Sequence, residues 1–260
     1  MIKIVAYIIT LIFLFNSDGA YAQICRKKQK PYVSVWGYPR SIKMNLLDRE
    51  YSRQLHFGFG IGVNAFDFSS IEPSGNTVNV QGQGNVILYA DLVNVKPGFN
   101  LNAIADCRLV GNLNLRFTPG IFFGNRKLDF YRSDTYGQIQ SMPITSNYLE
   151  FPLTFKYSAG RYSNFRPYIL AGANMRINLN SGLNVDVSRY IAMQKFEPFA
   201  ETGLGFDFYL NYFRLSTEFK ISIGLINCLS PELPTGYEYY RQSLKSMRSN
   251  TISFTINFEL

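Results

Sequence analysis

The chain has one histidine, one tryptophan and three cysteines in 260 residues, and only 17% of its residues are charged. It has no convincing helical periodicity. Its main apolar run, from Ile4 to Phe15, falls short of the roughly 20 residues that a membrane-crossing helix needs. Each scarcity excludes something. His56 and three scattered cysteines (25, 107 and 228) make no metal-ligand cluster. A Ser-His-acid set would have to be built on His56, which the strand layout below puts at the inner rim of the fold, away from substrate lipids. Three is an odd number for a disulfide framework. Cys107 and Cys228 also fall near opposite ends of that layout, so no structural disulfide is expected. Gly58, Gly60 and Gly62 repeat at period two inside a strand pattern. They lack the strand-loop-helix setting of a phosphate loop and read as relief of crowding. No cofactor, metal or catalytic residue is implied.

What is abundant is aromatic: 22 Phe and 18 Tyr. The pattern is clearest from Phe213 to Leu225. There Phe213, Leu215, Phe219, Ile221, Ile223 and Leu225 alternate with Arg214, Ser216, Glu218, Lys220, Ser222 and Gly224. Period two over that length is a strand with two unlike faces. Before Asn211 the code is the same, with Ala200, Leu204, Phe206 and Phe208 opposite Glu197, Glu201, Gly203, Gly205 and Asp207. Six further strands share it: about 55–64, 99–108, 113–124, 149–157, 165–177 and 251–260. The segments at 69–96, 132–146, 180–195 and 227–248 read as long loops. Val110-Gly111-Asn112, 159–164 and Asn211-Tyr212 read as tight turns.

Eight strands with alternating long and short connections predict an all-β, eight-stranded antiparallel up-and-down transmembrane barrel, both termini on the short-turn, periplasmic side. A soluble meander barrel also alternates. However, an interior this narrow takes small and polar residues more easily than a continuous set of Phe, Leu and Ile. The apolar face therefore looks to lipid. The polar face carries Asp106, Glu150, Glu197, Glu201, Asp207, Glu218 and Glu259, and against them Arg108, Arg116, Lys156, Arg166, Arg176, Arg214 and Lys220. Seven acids oppose seven bases. Buried charges persist when paired, so these residues are expected to form a salt-bridged lumen filling. The acidic hairpin at 197–220 is expected to find its bases at Arg116, Lys156, Arg166 and Arg176. An ion pathway would need a wider bore or a ring of one sign.

The N-terminus reads as export machinery. Lys3, the apolar run and Ala20-Tyr21-Ala22 form a signal peptide with cleavage expected between Ala22 and Gln23. Residues 23–53 form a basic periplasmic arm ahead of the barrel at 54–260. The arm holds eight bases against two acids, a net of +6 of the chain's +8. Export makes nucleic acid no partner. An acidic periplasmic partner suits Arg26–Lys30.

An ordered series of segments carries a likeness: His56-Phe57-Gly58-Phe59-Gly60-Ile61-Gly62-Val63-Asn64, Pro97-Gly98-Phe99-Asn100-Leu101, Asn114–Gly120, Tyr148–Leu153, Asn164–Gly172 and the Asp207–Lys220 hairpin. In these the chain resembles the PorT family of Bacteroidetes outer-membrane proteins over about residues 47–260. Leu260 departs from the terminal aromatic common in barrel assembly signals, with Phe258 nearby. The resemblance implies a component of the type IX secretion system, which exports proteases and adhesins that bear a C-terminal signal. It implies other secretion proteins as partners and no catalytic residues. Two rival expectations are an adhesion or ligand-binding barrel acting through the segments at 69–96 and 227–248, and a lipid-modifying barrel enzyme.

Overall fold

Successive side chains of a strand point to opposite faces, so a sheet with lipid outside and a filled lumen must alternate by rule. The computed structural model describes residues 54–80, 84–133, 138–180, 193–230, 240 and 242–260. The signal peptide with its Ala22–Gln23 junction, Cys25 and the basic arm lie outside the described residues. The strands are β1 (Leu55–Pro73), β2 (Val78–Val80), β3 (Gly84–Val86), β4 (Leu88–Val95), β5 (Pro97–Val110), β6 (Leu113–Phe117), β7 (Gly120–Arg132), β8 (Gln138–Ser158), β9 (Phe165–Asn178), β10 (Phe196–Tyr209), β11 (Arg214–Gly224) and β12 (Leu244–Glu259).

β4 and β5 are one stave interrupted at Lys96. β6 and β7 are another, interrupted at Thr118-Pro119. With β1 and β8 to β12 this makes the eight expected staves, all paired antiparallel. The ring closes where β1 pairs with β12 on one side and with β5 on the other, from Leu55 opposite Cys107 to Ala65 opposite Pro97. Closure satisfies the backbone within lipid, where no water can.

The prolines sit where the ladder can spare a donor. Pro119 lies in the β6–β7 break, and the Ala103 N–H donates to its carbonyl at 2.9 Å. Pro167 and Pro198 are the third residues of β9 and β10, with carbonyls that accept from Ala159 and Leu225. Pro152 lies inside β8, and its carbonyl accepts from Thr118 at 3.2 Å. At the tight β5–β6 turn, Gly111 has φ +55°, a left-handed conformation that glycine adopts without strain.

Three expected loops are shorter than read, because strand continues into them. β1 runs to Pro73 and β4 begins at Leu88, inside 69–96. β8 begins at Gln138, inside 132–146. β12 begins at Leu244, inside 227–248. The reason is a change of phase. On β1, Phe57, Phe59, Ile61 and Val63 face outward and are exposed, while Phe66 and Phe68 face inward and are buried. On β7, Ile121 is exposed outward, but Leu128 and Phe130 are fully buried. Beyond this level Asp67 and Asp91 take the outer face. The apolar face swaps sides because the exterior turns from lipid to water and the interior becomes a dry core. That core joins Phe68, Val78, Val86, Leu88, Leu128, Phe130, Cys228, Leu229, Tyr240, Leu244 and Met247 at the long-loop end.

Candidate functional site

The lumen is the candidate site, and it is filled. Arg116 on β6 reaches three carboxylates: Asp106 at 2.7 Å, Glu259 at 2.9 Å and Glu218 at 3.0 Å. From it a ladder of alternating sign runs along the bore. Toward the short turns, Glu259 pairs with Arg214. In the other direction Lys220 lies 3.6 Å from Glu218 and 3.9 Å from Glu201. Arg176 stands 3.8 Å from Glu201 and 2.5 Å from Glu150. Lys156 pairs with Asp207 at 2.8 Å. The Ser216 hydroxyl lies between Asp207 and Glu259 and ties this pair to the ladder. Asn174 donates to both Glu150 and Glu201, at 2.9 and 2.7 Å.

The fourteen charges read from the sequence are thus placed as follows. Thirteen are buried. Arg108 is half-exposed at the short-turn end. Arg166 sends its Nε–H to the carbonyl of Ala159 at 2.8 Å, which pins the β8–β9 turn. Glu197 accepts from the Tyr148 hydroxyl at 3.4 Å, nearer the long-loop end. Of the bases expected to meet the acidic hairpin, Arg116 reaches Glu218, Lys156 reaches Asp207 and Arg176 reaches Glu201. His56 is enclosed at the short-turn end, opposite Asp106 in register. Cys107 lies in β5 near the same end and Cys228 in the apolar cap.

Sequence reasoning missed the aromatic stopper above the ladder. Phe66, Phe122 and Tyr148 pack together in the bore. The Arg176 guanidinium lies 4.0 Å over the Phe199 ring. Over this layer sits Arg126, 1% exposed. It donates to Ser249 at 2.7 Å, Tyr148 at 2.8 Å and Ser146 at 3.0 Å, and lies 4.1 Å over the Phe68 ring. The signal that finds Arg126 is parity. β7 keeps the even-numbered lumen phase of β6 across Pro119, so a basic residue at 126 follows Arg116 inward.

Glycine makes the stopper possible. A Cβ on Gly124 would overlap the Phe66 ring, so only glycine lets that ring lie against β7. Chemically the lumen offers paired charges, then aromatic rings, then a dry cap. Among the described residues it shows no ring of a single sign to draw ions through.

Solved structures with a related course of chain include the neisserial surface protein A, at 12% identity and TM-score 0.44, over 79% of this chain and 96% of that one. Another is the outer membrane protein OprG from Pseudomonas aeruginosa, at 16% identity and TM-score 0.41, over 79% of this chain and 92% of that one. No curated protein matches the sequence. The model of the outer membrane protein beta-barrel domain matches residues 29–230. With eight antiparallel staves, a lipid-facing apolar exterior and a filled polar lumen, the chain belongs to the outer membrane protein beta-barrel domain family.

Proposed function

We infer that this barrel is a non-enzymatic, membrane-embedded component of the type IX protein secretion machinery, needed for export of proteins with a C-terminal signal. It acts as a strut and not as a conduit. The observation that carries the reading is the lumen. A bore crossed by the Arg214-to-Glu150 ladder and stopped by Phe66, Phe122, Tyr148 and Phe199 passes no polypeptide. A filled bore suits a barrel that serves as a part of a larger assembly. The machine is suggested by the ordered resemblance from His56 to Lys220. In this reading the short turns and the basic arm face the periplasm, where Arg26–Lys30 meets an acidic partner protein. His56, enclosed at that end, supports a structural role over a lipid-modifying one.

Deleting the gene and following signal-bearing proteases and adhesins tests the reading. Expected is their loss from the cell surface with retention inside the envelope, restored by the full chain. Normal surface delivery in the deletion strain would refute it. The apolar cap favours a second reading, a ligand-binding barrel acting through its long-loop end. Trimming Asn76–Val86 would then abolish binding while leaving export intact.

A further inference from the structure

At its long-loop edge the apolar belt gives way to charge, and on the arc formed by β10, β11 and β12 that charge is basic. On β12, Phe254 and Ile252 face outward and are exposed. The same face then carries Asn250 and the exposed Arg248. On β11 the outward Ile221 and Ile223 pair with Ile252 and Asn250. One further step in that register puts Leu225, just past the end of β11, level with Arg248. The Leu225 N–H donates to the Pro198 carbonyl of β10 at 3.0 Å. Two residues beyond Pro198 the outward side chain is the exposed Phe196, with Lys195 above it.

Lys195 and Arg248 thus flank one stretch of wall, two strand spacings or roughly 10 Å apart. Leu225 and Ile226 lie exposed between them, and Ile223 is exposed below. The Lys195 ammonium lies 5.7 Å from the centre of the Phe196 ring, a contact that keeps the cation over the outer wall. Arg248 makes no ion pair with any described residue. The next base along β12, Lys245, is already met by Glu72 at 3.7 Å. Asp67 of β1, opposite Asn250 in register, marks the edge of the arc, and its Oδ1 accepts from the Phe68 N–H at 2.8 Å.

The short-turn end has no counterpart. Its outward side chains include Phe57, Tyr157, Phe208, Phe213 and Phe258, and among the described residues no strand carries an outward charge there. The two edges of the belt therefore suit two unlike leaflets. Long loops face the outside in barrels of this kind, so the basic edge meets the outer leaflet. Basic side chains at a membrane surface attract anionic headgroups. Lysine and arginine can also lay their stems along an apolar wall while the charge stays at headgroup level.

We propose that Lys195 and Arg248, with Leu225 and Ile226 between them, bind a phosphorylated, multiply acylated lipid of the outer leaflet. Its phosphates meet the Lys195 ammonium and the Arg248 guanidinium, which presents parallel N–H donors to phosphate oxygens. Its acyl chains run down over Leu225, Ile223 and Phe196. An acidic protein would satisfy the two charges but would leave the apolar wall directly beneath them unused, whereas a lipid uses both. The surface lies outside the lumen and stands whether or not the secretion reading holds.

The test titrates the full chain, folded in zwitterionic detergent, with lipid A bearing both phosphates, and counts retained lipid by native mass spectrometry. A chelator is present, so that no divalent cation bridges protein to phosphate. The controls are the same lipid with its phosphates removed, and inorganic pyrophosphate as competitor. Expected is retention of the phosphorylated lipid at least about tenfold tighter than of the dephosphorylated one, and no displacement by pyrophosphate at equal concentration. Lys195→Gln with Arg248→Gln weakens retention by about tenfold or more. Lys96→Gln with Lys127→Gln removes the same charge from the β4–β7 side of the barrel and leaves retention unchanged. Heat-dependent gel mobility confirms that each variant is folded. If the Lys195–Arg248 double variant does not fold, Arg248→Gln alone decides. Equal retention of the two lipids overturns the proposal, as does equal weakening by both double variants, which would report net charge alone. Displacement by pyrophosphate would make this a free-anion site and overturns it too, and so does tighter retention of a glutamate-rich peptide than of the lipid.

Discussion

Arg116 and Glu259 meet at 2.9 Å inside the barrel although 143 residues separate them in sequence. The contact ties the last strand to the third stave across the lumen. The same guanidinium also serves Asp106 and Glu218. Breaking a buried pair by removing one partner leaves charge without compensation, at a cost of about 3–5 kcal/mol. Arg116→Leu takes a partner from three carboxylates, of which Glu259 keeps Arg214 and Glu218 keeps Lys220, and is expected to fall within that range. Arg116→Lys keeps the charge but loses the planar fork that binds several oxygens, so its loss is smaller. The only tryptophan, Trp36, precedes the barrel. Urea unfolding in lipid vesicles is therefore followed by gel mobility. Equal stability of Arg116→Leu and the parent chain would refute the ladder as a structural element.

Gly124 and Phe66 form a second dependence. The ring occupies the space a Cβ would take, and overpacking a filled interior costs about 1–3 kcal/mol. Gly124→Val is expected to lose that much in the same assay. Shrinking the ring with Phe66→Leu in the Gly124→Val background should return part of the loss, since residues in contact do not act additively. If the two losses simply add, the ring does not rest on Gly124.

The staves were legible because one rule, alternation, applies to each: Phe213 to Leu225, broken only at Thr217, and Ile252 to Leu260 show it. The lumen charges were legible for the same reason, since parity with Arg214 or Glu218 fixes a face once the strand is known. Their partners were not. Asp207 meeting Lys156 depends on stagger between strands and on which side chains span the bore, and sequence spacing carries neither. The outer parts of β1, β7 and β12 were lost for a different reason. Phe66, Phe68, Leu128 and Phe130 keep period two but move to the opposite face. A pattern read in one phase then looks broken and passes for loop. Gly and Asn near Gly75 and Gly84 strengthened that impression, although the hairpin β2–β3 lies between them.

Cys228 gives the cap a pH signature. Its thiol is buried and donates to the Met247 carbonyl at 3.0 Å. Burial pushes its pKa up to about 12, from an ordinary value of 9.0. Below pH 9 the thiol is neutral in both folded and unfolded chains, and its contribution to stability is complete. As pH rises from 9 toward 12, the unfolded chain ionises first and that contribution is lost. Cys228→Ala should therefore show a shallower fall in stability across this window than the parent chain. Identical pH profiles would mean that the thiol is not enclosed. In the folded protein Cys228 should also resist alkylation at pH 8, because the thiolate is the nucleophile.

The change of phase also predicts where the membrane stops. Phe59 lies among the outward residues below it, 58% exposed and stacked on Phe258 at 5.2 Å. Tyr89 is outward too, at 44%, but on β4 beyond the level where Asp67 and Asp91 take over the exterior. A lysine facing the middle of the bilayer costs about 2–4 kcal/mol, falling to about 0–1 near the interface. Phe59→Lys is expected to show the larger cost and Tyr89→Lys the smaller. Both variants leave the lumen ladder untouched, so the difference reports on surroundings and not on packing inside. It should shrink when the same pair is compared in detergent, where the wet and dry zones are less sharply divided. Equal costs in vesicles would move the lipid boundary up to β4. The acids at Asp67 and Asp91 would then stand within lipid instead of above it.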